Sequence, residues 1–577
     1  MTETGMPEKN ANHEEKNVPA DTNTLMKTTA WVVMVIAVSL SLYQLYTAGV
    51  IALTALVQRS IHLGAILSLA FLLKPAFPGL KKNKLSFWVV LDWVLAGLSV
   101  YCTYYICSNL SAIFDRQGDW LFQDRVVSIM GVLLVLEACR RVIGFFMTAI
   151  CAVSICYALY GPYMPELIIH KGYSVERIAT TLWLTTEGIF GLPIGVAATF
   201  VFVFVLFGAI LETTGGGAFF IDMAYALTGR FSGGPAKASV VASGFMGSVS
   251  GSAVGNVAAT GSFTIPMMKK VGYRPHMAGA IEAAASTGGQ LMPPIMGAGA
   301  FLMAEFTNTS YLTIIKVALV PAVMYYITVL VFVHYEARKF GLKGQAKESL
   351  PKLTRVIKNG LHFIIPVLIL IYVLVSNYSP MMAGFIAVVS TLFISILVNF
   401  IRWILDRRKE TGIFGFVSKE VRLLVKALEN GAKNAVMVSV ACAAAGIIVG
   451  MVSLTGMGLK FSSLVLELSF GIKALAILLI AGASLVLGMG LPVTASYIVL
   501  ATLAGPALMD MGVPIMVAHM IVFWYSQDSN VTPPVSLASF AGAAIAKANP
   551  MRTAFTSWKL AKALSIIPLV MAYRPPL

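Results

Sequence analysis

The sequence has little charge. Only 12% of its 577 residues are charged, whereas about 25% is usual for a soluble globular protein. Hydrophobic residues make up 58% of the chain and occur in runs of about 20 or more, which a bilayer requires and a soluble core does not. The composition therefore excludes a soluble enzyme, a disordered scaffold and a secreted disulfide module. It predicts a polytopic, all-α membrane protein.

Motifs for enzymatic chemistry are also missing. None of the six cysteines forms a C-x-x-C pair, so neither a zinc site nor a thioredoxin-like redox site is expected. The sequence contains no G-x-x-x-x-G-K-[ST] phosphate-binding loop and no H-E-x-x-H motif, which would indicate ATP-driven transport or a metalloprotease. We therefore expect neither an enzyme nor a cofactor.

The excess of positive charge predicts the topology. The formal net charge is +16, and in a membrane protein an excess of Lys and Arg marks cytoplasmic loops rather than nucleic-acid binding. Placing all basic segments inside gives a cytoplasmic N-terminus, an outer C-terminus and a chain break near Arg140. These segments are Lys81-Lys82-Asn83-Lys84, Arg140-Arg141, Lys269-Lys270, the loops 335–360 and 404–433 (with Arg407-Arg408-Lys409), and Lys547 with Arg552.

Apolar windows predict thirteen spans and two re-entrant hairpins. The hairpins, residues 233–268 and 472–508, are interrupted by Gly and Pro near their centres. Residues 1–27 are polar and are expected to form a cytoplasmic tail, and surface helices are expected over 171–187 and 217–229. The spans are predicted near residues 28–46, 61–79, 87–107, 125–141, 143–162, 190–212, 276–305, 311–334, 361–377, 381–403, 434–455, 513–545 and 555–573.

Four elements recur in order about 240 residues apart, in units of about 190–340 and 430–575. By the charge map the two units enter the membrane in opposite orientation. Inverted repeats with interrupted segments at matching positions indicate the binding site of a secondary transporter. The matched pairs are Thr214–Gly217 with Thr455–Gly458, Ser250–Asn256 with Gly488–Thr494, Ser286–Gln290 with Ser526–Asn530, and Pro293-Pro294 with Pro533-Pro534.

Several of these segments resemble the permease of tripartite ATP-independent periplasmic (TRAP) transporters. The resemblance covers residues 28–575, and its details are similar to the TAXI-type branch, in which the small and large membrane subunits are fused. It implies that residues 28–140 are a small-subunit-like four-helix scaffold and that 141–577 are large-subunit-like. The segments that carry the resemblance are Ser250–Tyr273, Glu282–Phe306, Leu487–Tyr497 and Ser529–Ala544.

The resemblance also implies a function. Members of the family use an ion gradient and an elevator mechanism to take up small organic acids delivered by a periplasmic substrate-binding protein. For the TAXI branch, dicarboxylates such as glutamate or 2-oxoglutarate are expected, and the location is the bacterial inner membrane. The alternatives are a carrier that works without a binding protein and an anion channel, although a pore usually needs a symmetric ring of subunits.

Interrupted helices expose carbonyl groups and N–H groups at the ends of their halves. Carbonyl and hydroxyl oxygens suit a hard monovalent cation, while N–H groups suit a carboxylate. A carboxylate substrate is expected between the two hairpin tips, bound by Ser250, Ser252, Asn256, Gln290, Pro492, Thr494 and Thr532. The two candidate cation sites are Ser250, Ser252 and Asn256 with Gly288 and Gly289, and Gly488, Gly490 and Thr494 with Asn530 and Thr532.

Ionisable groups inside the spans are costly and usually functional. Asp528 and Glu282 are the candidate proton carriers, with a structural role at a span end left open for Asp528. Glu282 lies one turn before Ser286 and faces either the first site or a buried partner. Hydroxyls and carbonyls favour sodium as the coupling ion, and the two carboxylates keep the proton as the alternative. Among the histidines, only His519 lies deep in a predicted span, and we expect it to be a packing residue.

Overall fold

The structure is a computed structural model that describes residues 20–77, 87–116, 118–346, 348, 350–405, 412–488 and 490–573. Within these ranges every regular element is a helix, which confirms the all-α fold. The lysine run 81–84, the basic run 407–409, Met489 and most of the predicted N-terminal tail lie outside the described residues.

Four long helices precede residue 143. Helix α2 runs from Ala55 to Leu73 rather than over 61–79, because Lys74 precedes Pro75 and has φ −106° and ψ 126°, the extended conformation that a residue before proline favours. The chain then breaks as predicted, at Gly144 with φ 120°. The helices are α1 (Ala20–Gly49), α2 (Ala55–Leu73), α3 (Phe87–Ser108), the short α4 (Leu110–Asp115) and α5 (Phe122–Val142).

Arg140 and Arg141 mark this break, but they are not simple loop residues. The Arg141 side chain is fully buried, bonds to Asp92 of α3, and lies 2.7 Å from a Glu137 carboxylate oxygen. Arg140 pairs with the same glutamate at 2.8 Å and also donates to the Ala76 carbonyl. The two arginines therefore join α5 to α2 and α3, and their charges are compensated at close range.

The first repeat unit consists of a span, a surface helix, hairpin 1, a broken span made of two helices (275–289 and 298–306) and a continuous span (311–339). Its first span includes one π-helical turn, Ala197–Val201, between two α-helical pieces. Helices α11 and α12 form hairpin 1, and both predicted surface helices, α7 and α10, are present. Two helices precede the unit, α6 (Phe145–Leu159) and α7 (Val175–Leu184). The unit itself comprises α8 (Leu192–Val196), α9 (Phe202–Thr213), α10 (Gly216–Thr228), α11 (Gly234–Ser250), α12 (Ala253–Lys270), α13 (Pro275–Gly289), α14 (Ala298–Phe306) and α15 (Tyr311–Lys339).

The second unit repeats this order, and α20 and α21 form hairpin 2. Its last span differs from the prediction, because residues 555–573 belong to two helices that are separated at Ala561 and Lys562. After α16 (Leu353–Val375) and α17 (Pro380–Leu405), the unit comprises α18 (Ile413–Thr455), α19 (Met457–Leu468), α20 (Lys473–Gly488), α21 (Val493–Asp510), α22 (Ile515–Asp528), α23 (Leu537–Ala546), α24 (Pro550–Leu560) and α25 (Ala563–Tyr573).

Helix α18 is far longer than the span predicted at 434–455. Its 43 residues extend about 65 Å at 1.5 Å per residue, so much of the predicted loop 404–433 is helical. The helix contacts α1, α2, α5, α6, α9 and α21. Among the described residues, ten helical segments are long and apolar enough to span a membrane. Four predicted spans do not belong to these ten segments: α5, which contains several charged residues, α6, which is short, and the two broken spans.

The two units pack in equivalent ways. A Cβ atom on Gly247 would lie 2.7 Å from the Gly289 Cα atom, and one on Gly488 would lie 2.9 Å from the Ser529 Cβ atom. In each unit the first hairpin arm therefore contacts the broken span at the matching position. The Gln290 side chain accepts a hydrogen bond of 3.1 Å from Asn530, its equivalent 240 residues later. The two broken spans therefore contact each other at equivalent positions.

Candidate functional site

The tip of hairpin 1 is a tight turn held against the broken span. Gly251 has φ 63°, and a Cβ atom there would lie 2.9 Å from the Met296 carbonyl oxygen, so glycine is required. The Gln290 amide donates a hydrogen bond of 2.8 Å to the Gly251 carbonyl. Ser252 caps α12 by accepting from the Gly255 N–H at 3.2 Å. The tip therefore has a defined position relative to the helix break.

Two buried polar atoms near this tip have no partner within the described part of the chain: Ser250 Oγ and Asn256 Oδ1. The Asn256 amide nitrogen is committed, since it donates to the Ser243 carbonyl at 2.8 Å. The Asn256 side chain and the Gly289 backbone both approach Gly247 closely. A Cβ atom added to Gly247 would lie 3.0 Å from the Asn256 amide nitrogen and 2.7 Å from the Gly289 Cα atom. Buried polar atoms without partners are rare. Hydroxyl and amide oxygens of this kind are ligands that a hard cation accepts.

The second candidate site has a similar backbone but different side chains. Gly490 has φ 75°, Pro492 is the N-cap of α21, and Thr494 is buried. The Thr532 hydroxyl donates to Asp528 at 2.8 Å, and the Asn530 carbonyl accepts from the Ala538 N–H at 3.2 Å. The Thr532 side chain is therefore bonded to Asp528. The Asn530 side chain is bonded to Gln290.

Sequence reasoning missed three polar residues of the second unit. Ser484 Oγ, Ser496 Oγ and both polar atoms of Gln527 are buried without a partner among the described residues. A Cβ on Gly488 would lie 3.3 Å from Ser496 Oγ, so this hydroxyl is close to the end of α20. The repeat offset was the available signal, because Ser496 lies 240 residues after Asn256.

A cavity of about 650 Å³ lies between hairpin 1 and the helices around α18. Ser250, Ser252 and Asn256 line it, whereas Pro492, Thr494 and Thr532 are not among its lining residues. Thr532 lines a separate pocket of about 220 Å³. Besides the hairpin tip, the polar residues that line the large cavity are Lys74, Glu212, Lys433 and Asn434.

Asp528 is the last residue of α22 and is only 5% exposed. It accepts hydrogen bonds from Thr532 at 2.8 Å and from Ser565 at 3.2 Å. The unpredicted break before α25 also brings Lys562 within electrostatic range of this carboxylate. All these partners of Asp528 belong to the second repeat unit. Thr532 follows α22 in the broken span, and Ser565 lies in α25.

Glu282 lies in α13 and is completely buried. Its carboxylate accepts hydrogen bonds from five hydroxyl groups on three helices. The donors are Ser239, Ser243, Thr260, Thr264 and Ser286. Of the two alternatives considered for this residue, the structure therefore gives it buried partners.

Residues 130–577 match the family model described as "Tripartite ATP-independent periplasmic transporter, DctM component". The chain belongs to this family. It is therefore a TRAP-type permease and a multi-pass membrane protein, and the family carries organic acids by secondary transport rather than catalysing a reaction.

Two proteins and one solved structure show what this TRAP permease is similar to. It is 26% identical over 383 residues to the C4-dicarboxylate TRAP transporter large permease protein DctM of Pseudomonas aeruginosa, covering 66% of this chain and 83% of that protein. It is 27% identical to the uncharacterized protein YgiK of Salmonella typhimurium over 33% of this chain, and the match covers only 43% of YgiK. The structure of the Alcanivorax borkumensis YdaH transporter aligns with 74% of this chain and 97% of its own at a TM-score of 0.48 and 16% identity.

Two histidines of this permease, His519 and His62, are buried inside helices. His519 contacts Tyr497, with 2.9 Å between Nδ1 and the hydroxyl oxygen. His62, which was not singled out, is also fully buried and lies between Gln44 at 2.7 Å and Ser439 at 2.9 Å. The expectation that only His519 lies deep in a span is therefore wrong. His62 escaped notice because the predicted span began at residue 61, whereas α2 begins at Ala55.

Proposed function

We infer that this permease takes up a small organic acid across the bacterial inner membrane, driven by a cation gradient, with the acid delivered by a periplasmic binding protein. The observation that carries this proposal is a cavity of about 650 Å³ beside two buried oxygens, on Ser250 and Asn256, that have no partner among the described residues. A cation at the hairpin tip and an acid in the adjacent cavity would each favour the binding of the other.

Sodium is the proposed coupling ion. The candidate sites offer hydroxyl, amide and carbonyl oxygens, the ligands that hard cations prefer. The first site comprises Ser250, Ser252 and Asn256 with the backbone of Gly288 and Gly289. The second comprises Gly488, Gly490, Thr494, Asn530 and Thr532, to which we add Ser496 and Gln527 because their buried polar atoms are unpartnered. The alternative is a proton, for which Asp528 is the candidate carrier.

The substrate is proposed to be a carboxylate or dicarboxylate, such as glutamate or 2-oxoglutarate. Lys433 and Asn434 of α18 line the cavity together with Ser250 and Ser252 of the hairpin tip. Lys433 lies 2.5 Å from Glu429 and is 34% exposed, so its amino group is held in a defined position while remaining accessible. An acid between α18 and the tip would meet a positive charge on one side and hydroxyl groups on the other. Gln290 would support the tip, and Pro492, Thr494 and Thr532 would contribute from hairpin 2 in another conformation.

An elevator mechanism fits the position of the tips. Leu73, Lys74 and Val142, which line the cavity, lie where α2 and α5 end next to basic segments. Gly490 of hairpin 2 packs against Phe146, at the beginning of α6. If the basic segments are cytoplasmic, both tips lie near the cytoplasmic ends of these helices and the conformation is inward-facing. Movement of the hairpins toward the other ends of these helices would expose the site to the periplasm.

Residues 28–140 are proposed to be the fused small-subunit-like scaffold of a TAXI-type permease, with the N-terminus in the cytoplasm and the C-terminus in the periplasm. Hydrogen bonds from Ser41 to the Leu428 carbonyl at 2.8 Å and between His62 and Ser439 at 2.9 Å attach α1 and α2 to α18. These contacts support a static unit to which the rest of the chain is anchored.

Uptake by the purified protein in proteoliposomes tests the proposal. Sodium and proton gradients are imposed separately, with C4 and C5 dicarboxylates and with or without the binding protein. The expected result is saturable uptake that requires the sodium gradient and the binding protein. Uptake that is independent of the binding protein would indicate a simple carrier, and large single-channel currents in planar bilayers would indicate an anion channel; either would contradict the proposal.

A further inference from the structure

The buried carboxylate of Glu282 fastens hairpin 1 to the broken span. Ser239 and Thr264 donate to one carboxylate oxygen at 2.5 and 2.6 Å. Ser243 donates to the other at 2.6 Å, and Thr260 also bonds to it. Two of these hydroxyls belong to α11 and two belong to α12, so a single side chain of α13 holds both arms.

The same hydrogen bonds continue to the tip of the hairpin. The Ser243 carbonyl accepts the Asn256 amide at 2.8 Å, and the Thr260 hydroxyl lies 2.8 Å from the Asn256 carbonyl. Asn256 of α12 is therefore joined to α11 through Ser243, which also binds Glu282, while its Oδ1 atom has no partner among the described residues. The position of this oxygen, a candidate cation ligand, depends on how Glu282 arranges α11 and α12.

Hairpin 2 makes the corresponding contact with less polarity: the equivalents of Ser243 and Ser286 are still serines, Ser484 and Ser526, but the other positions are apolar. The position equivalent to Glu282 is Val522, at an offset of 240 residues. By the same offset Thr260 corresponds to Leu500 and Thr264 to Ala504, and by an offset of 241 Ser239 corresponds to Ile480. All four equivalents are at most 1% exposed. A buried carboxylate is thus not needed to pack a hairpin against its broken span, as replacements of buried ionic clusters in other proteins have shown.

We propose that Glu282 is a positioning residue for the cation site at the tip of hairpin 1. It fixes both hairpin arms on α13, so that Asn256 Oδ1 and the Gly289 backbone stay at the separation that a bound monovalent cation requires. Ligand groups must be held to within about 0.5 Å to bind well. This inference rests on the proposed function, because it assumes that the hairpin tip binds the coupling cation.

Two variants test the inference. Glu282→Gln replaces one acceptor oxygen by an amide NH2 group, which donates, with little change in volume. A fourfold variant, Ser239→Ile with Thr260→Leu, Thr264→Ala and Glu282→Val, copies the apolar packing of hairpin 2. Asp222→Asn is the matched control, since it removes an exposed carboxylate from the same repeat unit. The measurements are the half-saturating concentration of the driving cation, the KM for substrate-loaded binding protein, and the cation-induced rise in Tm of the purified protein.

The expected result is an increase of about tenfold or more in the half-saturating cation concentration. At a saturating concentration of cation the KM should change less than about twofold, and the cation-induced rise in Tm should be lost. The fourfold variant should keep a Tm near that of the wild type without cation. Unchanged cation dependence in both variants, or equal losses in cation affinity and KM, would overturn the inference while leaving the proposed function intact. A wild-type protein without any cation dependence would overturn both.

Discussion

Gly247→Ala tests the close contact between hairpin 1 and the broken span. The new Cβ atom would lie 2.7 Å from the Gly289 Cα atom and 3.0 Å from the Asn256 amide nitrogen. Carbon atoms pack best at about 3.5–4.0 Å, so α11 and α13 must separate by about 1 Å. The glycine backbone offers no flexible side chain that could move aside.

The expected cost of this substitution is about 1–3 kcal/mol, the usual range for overpacking. The more specific consequence concerns function, because Asn256 Oδ1 and the Gly289 backbone move apart. We expect the half-saturating cation concentration for uptake to rise about tenfold or more, since a shift of about 1 Å exceeds the tolerance of a binding site. The assay is sodium-dependent uptake in proteoliposomes, combined with thermal unfolding of the purified protein.

Gly482→Ala is the matched control. Gly482 lies inside α20, and a Cβ atom there would meet nothing within 4 Å. Alanine favours a helix over glycine by about 1 kcal/mol, so the control should keep or slightly raise the Tm and leave cation dependence unchanged. A Gly247→Ala protein with wild-type Tm and wild-type cation dependence would refute the reasoning.

Two further predictions concern charged groups. Asp92→Leu removes a partner of the buried Arg141, and we expect a loss of about 3–5 kcal/mol, seen as a lower Tm. Arg125 forms an ion pair of 2.9 Å with Glu176, and both side chains are 43% exposed, so Arg125→Gln should cost less than about 1 kcal/mol of stability. Equal losses of stability in the two variants would contradict the distinction between a buried and an exposed ion pair. Lys433→Gln should raise the KM for a carboxylate substrate several-fold without changing cation dependence, and an unchanged KM would remove Lys433 from the proposed substrate site.

The hairpins and broken spans could be predicted because their signals are local. Gly and Pro interrupt apolar runs at positions that recur about 240 residues apart, and the structure has turns or breaks at those positions. The N-terminal half of α18 could not be found in this way. Residues 413–433 carry enough Lys, Arg and Glu to look like a loop in a hydropathy window, although most of them favour helix formation.

Side-chain partners were harder to predict than helices. The hydroxyl groups around Glu282 come from three helices, and only Ser286 lies within one helical turn of it. The others are brought together by the fold of the hairpin. Arg141 shows the same limit, because an arginine next to a chain break indicates a loop in the sequence, while its partner Asp92 lies 49 residues away on another helix.

The two repeat units are symmetric in backbone but not in the placement of charge. In the first unit the buried carboxylate, Glu282, lies inside α13 and binds only hydroxyl groups. In the second unit the carboxylate, Asp528, lies at the helix break itself, with Lys562 near it because the last span is broken. The corresponding last span of the first unit, α15, is continuous. A cation at the second break would therefore experience a nearby carboxylate directly, whereas one at the first would depend on neutral oxygens. The two candidate cation sites should accordingly differ in affinity, and the second should be the more sensitive to pH.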